Sequence, residues 1–115
     1  MILHIIRNDE WEIAKKNGIY NPESLKKDGF IHCSKIDQVI GVANSKYSGE
    51  KNLLILVIDE KKLESRMLLE DLYNYGINFP HVYGNVNLNC IVDIIEFRCN
   101  KNGKFKLPKK VSEYK

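Results

Sequence analysis

No apolar run in this chain approaches the length of a bilayer span, no internal repeat or low-complexity tract interrupts it, and no cysteine pair stands at C-x-x-C spacing. Each absence closes a class. Without roughly 20 consecutive apolar residues, no segment is expected to cross a membrane as a helix. The apolar opening, Met1 to Ile6, is cut at once by Arg7-Asn8-Asp9-Glu10. It lacks the basic lead, long apolar stretch and small-residue cleavage site of a secretory signal, so the expected location is the cytoplasm. Three cysteines, Cys33, Cys90 and Cys99, are odd in number and widely spaced. That pattern argues against a disulfide framework and a standard structural zinc site, and fits a reducing compartment. Basic character is also thin. The net charge is +3, with local density mainly at Lys101, Lys104, Lys106, Lys109, Lys110 and Lys115. No aromatic-interleaved basic motif or recognition helix accompanies it, so nucleic acid is not an expected partner.

What is present is the composition of a globular domain, 43% hydrophobic and 29% charged, in 115 residues. A chain of that length supports one core. Residues 1–100 read as a single α+β domain and residues 101–115 as a polar, basic C-terminal extension around Pro108. Ile2 to Ile6 reads as a strand, followed by a helix capped by Asn8 or Asp9, with Trp11 and Ala14 facing inward and Gly18 as its stop. Tyr20 to Lys27 reads as a turn and short helix before the turn signal Asp28-Gly29, and a strand starts at Phe30.

Ser34 precedes Ile36, Val39, Ile40 and Ala43, a helical apolar stripe closed by Gly49, so a second helix capped by Ser34 is expected. Leu53 to Ile58 is an unbroken aliphatic run, the pattern of a central strand buried on both faces. Met67 to Tyr73 and Ile91 to Phe97 read as further strands. Residues 73 to 83 hold four aromatics with Gly76 and Pro80, and read as a packed loop. The order alternates too irregularly for a doubly wound parallel sheet; a mixed, mostly antiparallel sheet with two main helices is expected.

Two segments, Asp28-Gly29-Phe30-Ile31-His32-Cys33-Ser34 and Phe79-Pro80-His81-Val82-Tyr83-Gly84, each seat a histidine among apolar residues and turn formers. Imidazole titrates near neutral pH and can donate, accept or bind, so the pair suggests a pocket. His32 stands at a strand-to-helix corner, where ligands collect, and reads as a ligand-binding group. Ser34 is explained first as the helix cap, with a secondary binding role. His81 follows Pro80, which restricts Phe79 to extended backbone. Glu70 lies among Leu68, Leu69 and Leu72; turned inward it must be paired or perturbed, as a general base is, and turned outward it is a solvated edge charge. A metal site using His32 and Cys33 is disfavoured, because neighbours in a strand point to opposite faces. Cys33 reads as a packing residue.

Trp11, Gly18-x-Tyr20, Ser24-Leu25-x-x-Asp28 through Ser34, Gln38, Leu54 to Asp59, Glu70 and Phe79-Pro80-His81-x-Tyr83-Gly84 together resemble a bacterial family, domain-of-unknown-function family 952. The likeness spans most of residues 2 to 98. Two positions depart from the family pattern: Leu69 stands where a tryptophan usually precedes the glutamate, and Asn85 where a proline often follows the glycine. The resemblance implies an ADP-ribosyltransferase-like α+β fold in a family without an assigned reaction. It further implies an NAD-like or ADP-ribose-bearing ligand, with His32 orienting a ribose, Tyr83 or His81 contacting the ligand, and Glu70 polarising a hydroxyl. Glu70 and His81 are thus the catalytic candidates, and His32, Ser34 and Tyr83 the ligand-binding ones. No metal is expected. Two other readings stand beside this one: a non-catalytic module gripping a nucleotide-like metabolite, and a structural or protein-interaction domain in which the histidines lock the core. The sequence specifies no oligomeric state.

Overall fold

The computed structural model describes residues 1–115. The aliphatic run forms β4 (Leu53–Ile58), flanked by β1 (Ile2–Arg7) and β8 (Ile91–Phe97) in an antiparallel sheet of order β1-β4-β8. Its central place is the expected one. Because side chains alternate across a strand, β4 serves two cores at once. Leu53, Ile55 and Val57 pack in one cluster with Val39, Ala43, Phe97, Phe105 and Val111. Leu56 and Ile58 join Trp11, Ala14, Ile31, Val82 and Val86 in the other.

A second antiparallel sheet, of order β3-β6-β5, is built from β3 (Ile31–His32), β6 (Phe79–Tyr83) and β5 (Arg66–Glu70). A two-stranded ribbon pairs β2 (Ile19–Tyr20) with β7 (Val86–Asn87). The helices are α1 (Asn8–Asn17), α2 (Glu23–Asp28), α3 (Val39–Lys46) and the short α4 (Lys109–Ser112). The chain is therefore a compact single α+β domain, its strands divided among three antiparallel sheets rather than gathered in one.

Several local expectations change. Helix α1 begins at Asn8 with Arg7 in the capping position and no side-chain cap, because the Asn8 N–H continues the ladder to the Asn52 carbonyl. Gly18, at φ 74°, ends it as expected, and Trp11 and Ala14 are buried. Ser34 does not cap α3. Its N–H and C=O are both committed to Leu3 of β1, at 2.8 Å each, so its backbone is a strand bridge, and α3 starts five residues later with Gln38 before it. The apolar stripe still packs: Val39 and Ala43 are buried, with Ile36 and Ile40 against them.

The segment read as a packed loop over residues 73 to 83 also resolves differently. Its second half is β6, the middle strand of its sheet, while Tyr73 and Tyr75 stand 51% and 68% exposed. Pro80 explains the outcome. The Cys33 N–H donates to the Pro80 carbonyl at 3.0 Å, but proline has no N–H to return the bond, so the β3–β6 ladder stops after His32. From there the chain leaves the second sheet, and Ser34 pairs with β1 of the first. The polar C-terminal segment is anchored by Phe105 and Val111, which enter the core; Phe105 stacks on Phe97 at 4.5 Å. No helix is long and apolar enough to cross a membrane.

Candidate functional site

Where the two sheets part beyond Ser34 there is a cavity of about 510 Å³. β1 contributes His4 and Ile5, β3 and its continuation His32, Cys33 and Ser34, and β6 Phe79 and His81. Gly41, Val42, Ser45 and Lys46 of α3 form the facing side, and Tyr73, Tyr75 and Ile77 rise from the turn between β5 and β6.

The two predicted histidines meet by register. His32 pairs directly with His81 across β3 and β6, so both rings project from the same face, 5.6 Å apart between centroids. Alternation along β6 places Phe79, His81 and Tyr83 on this face, and the β5 register adds Leu68 and Glu70. Phe30 lies beneath them, its ring stacked on His81 at 4.2 Å.

Glu70 is turned to this face, and its Oε1 is the meeting point of two donors: the His81 Nδ1–H, at 3.0 Å, and the Tyr83 hydroxyl. The Tyr83 bond chiefly holds the Glu70 carboxyl below its ordinary range against the opposing effect of burial, and His81 adds to it. The same bond holds the Tyr83 phenol up. Because a carboxylate only accepts, His81 carries its proton on Nδ1, and in the neutral ring the lone pair sits on Nε2. Nε2 has no protein partner, and His81 is part of the cavity wall. Glu70 and Tyr83 are not part of the cavity wall. They reach it through His81.

His32 is half-buried; its Nε2–H donates to Asp28 at the end of α2, 3.2 Å away. Burial lowers its pKa, Asp28 partly restores it, and Lys46 and His81 nearby lower it further. Ser34 contributes to the wall as well as to the bridge. The Cys33 thiol is pushed up to about 12 by burial, which keeps it protonated and unreactive. No group of three or more His, Cys, Asp or Glu side chains is placed to hold a metal ion.

Among the wall residues that the sequence does not mark for a site, His4 is the one whose side chain hydrogen-bonds to a predicted histidine. His4 is buried in β1, its Nδ1–H donating to the His32 carbonyl at 2.6 Å and its Nε2 accepting from the Tyr20 hydroxyl at 2.7 Å. Burial is the main reason its pKa falls to about 4, so at neutral pH it is an uncharged brace between β1, β2 and β3. The signal was available: His4 interrupts Ile2-Leu3-His4-Ile5-Ile6 as the other two histidines interrupt their apolar runs. The sequence marks Tyr73 and Tyr75 as aromatics of a loop, and the structure makes them part of the cavity wall.

These features define an α+β domain of antiparallel sheets with a cavity whose wall carries three histidines. The chain belongs to the family described as "Protein of unknown function (DUF952)", whose profile matches residues 5–94. It is similar to Protein CC0527 from Caulobacter crescentus. The crystal structure of that protein gives a TM-score of 0.86 at 25% identity, covering 96% of this chain and 97% of that one. Its solution structure gives 0.73 at 24%, covering 92% and 91%. No curated protein matches the chain.

Proposed function

We propose that the cavity binds a nucleotide-like small molecule of the NAD or ADP-ribose type, and that His81 acts on it in transferase- or glycohydrolase-like chemistry. The observation that carries this reading is the His81 ring, fixed at Nδ1 by Glu70 and without a protein partner at Nε2, in the wall of the cavity. A carboxylate behind an imidazole fixes the ring's orientation and tautomer, which suits a general base. The rest of the wall suits the ligand class: tyrosines and Phe79 for a flat ring, Lys46 for an anion, and His32 and Ser34 for hydroxyl groups. In the hydrolytic version, water bonds to the ribose carbon as the bond to the base nitrogen breaks. The base leaves with the bonding pair and His81 takes the water's proton. Glu70 and Tyr83 then act through His81, as positioning residues. On this reading the fold is ADP-ribosyltransferase-like and the location cytoplasmic.

Ligand-detected NMR and thermal shifts with NAD, ADP-ribose and nicotinamide test it beside folded His81→Ala and Glu70→Gln variants. Binding by the wild type, lost in His81→Ala, supports the site. Turnover lost in Glu70→Gln with affinity kept supports base chemistry. Silence of the wild type at millimolar ligand overturns the reading. One observation favours a structural alternative: His81 is only 2% exposed and stacks on Phe30. On that account His81→Gln loses stability and nothing else.

A further inference from the structure

Eleven large hydrophobic side chains stand exposed, and five of them, Leu69, Leu72, Tyr73, Tyr75 and Ile77, fall within nine residues at one end of the β5–β6 hairpin. Burial normally hides such groups, and a cluster of them on a small domain marks a place that something covers. Three of the five, Tyr73, Tyr75 and Ile77, line the cavity rather than face away from it. The two tyrosines already stack on each other, with ring centroids 5.7 Å apart and planes 28° from parallel. The turn that presents them is tied down: the Asp71 carboxylate accepts the Tyr75 and Gly76 N–H groups at 2.9 and 2.7 Å. Across the cavity, α3 offers open space at Gly41, where an added Cβ would meet nothing within 4 Å.

From this arrangement we infer that the Tyr73–Tyr75 pair is the stacking platform for a flat heteroaromatic ring of the ligand, so that the base is gripped at the hairpin tip while the His81 end of the cavity takes the sugar. The inference rests on the nucleotide reading above and deepens it by assigning the ring. A flat ring continues the existing stack without new side-chain ordering and covers tyrosine surface that water now touches. Stacking of a base on an aromatic side chain is sequence-tolerant, because every base has a π face, so the platform selects for ring shape rather than for one base.

The experiment measures dissociation constants of the full chain for AMP and for ribose 5-phosphate, which share the sugar and phosphate and differ by the base. AMP should bind the more tightly. Tyr73→Leu and Tyr75→Leu should each weaken AMP by on the order of tenfold and leave ribose 5-phosphate unchanged, while Tyr75→Trp should keep the AMP affinity. Gly41→Leu, at a helix position free of backbone strain, should block both ligands while the protein stays folded. Equal affinity for the two ligands, or AMP binding untouched by both leucine variants, overturns the platform and leaves the nucleotide reading standing. Failure of the wild type to bind either ligand overturns the nucleotide reading and the platform with it.

Discussion

The buried brace His4 should make the fold acid-sensitive well above the range in which carboxylates titrate. Its pKa is about 4 in the folded protein, against an ordinary 6.5 when the chain is unfolded. Between those values the unfolded chain takes up a proton that the folded one refuses, so stability falls as pH falls through 6.5 and the loss levels off below 4. A difference of about 2.5 pK units corresponds to roughly 3 kcal/mol at the acid limit and about 2 kcal/mol at pH 5. For a domain of this size, 2 kcal/mol lowers Tm by roughly 8 °C. Urea unfolding of wild type and His4→Gln at pH 7.5, 6, 5 and 4.5 isolates the term. Glutamine can still donate to the His32 carbonyl and accept from Tyr20, but it does not titrate. His32 is shifted in the same direction and remains in both proteins, so only the difference between their slopes belongs to His4. Identical pH dependence in the two proteins, or a His4 ring titrating near 6.5 by NMR, would refute the reasoning.

Glu70 should act with the opposite sign. Its folded pKa is lowered, chiefly by the Tyr83 hydroxyl, so its contribution is present above the unfolded value near 4.5 and is lost as pH falls below it. Wild type should exceed Glu70→Gln in stability at pH 7, and the gap should narrow as pH falls below 4.5, as followed by chemical unfolding. Leu56, fully buried at the centre of β4, should cost about 2–5 kcal/mol on truncation to alanine, read from the shift in urea midpoint. Phe105→Ala should cost about 3–5 kcal/mol, since Phe105 is 3% exposed and stacked on Phe97. If the C-terminal segment were a solvated tail, that substitution would leave the unfolding midpoint unchanged.

The parts of this protein legible in its sequence are those whose signal is local and repeated. The six aliphatics from Leu53 to Ile58 can only be satisfied by burial on both faces, and the structure puts them mid-sheet between two cores. The inward pair Trp11 and Ala14, and the α3 stripe, follow from helical periodicity. The histidines stood out because a titratable ring in an apolar run is costly unless it is bonded or used. The misread places share a cause: a residue's local preference was overruled by a partner distant in sequence. Ser34 is a good helix cap, but Leu3 claims its backbone. Pro80 argues against a central strand, yet β6 accepts it because the neighbour it cannot answer, Cys33, is where β3 ends.

By itself, then, the sequence determined that this is one α+β domain with a strand buried on both faces, and that His32 and His81 sit in unusual surroundings; composition and periodicity are properties of the chain alone. Only the tertiary structure decided that His32 and His81 are register partners, that Glu70 serves His81 from behind the wall, and that His4 braces the same site. Those facts depend on strand pairing, across the β5–β6 hairpin for Glu70 and between segments tens of residues apart for the histidines. A one-residue change of register would send each of these side chains to the opposite face, and the register that forms is the one that buries the apolar face of each strand against the rest of the fold.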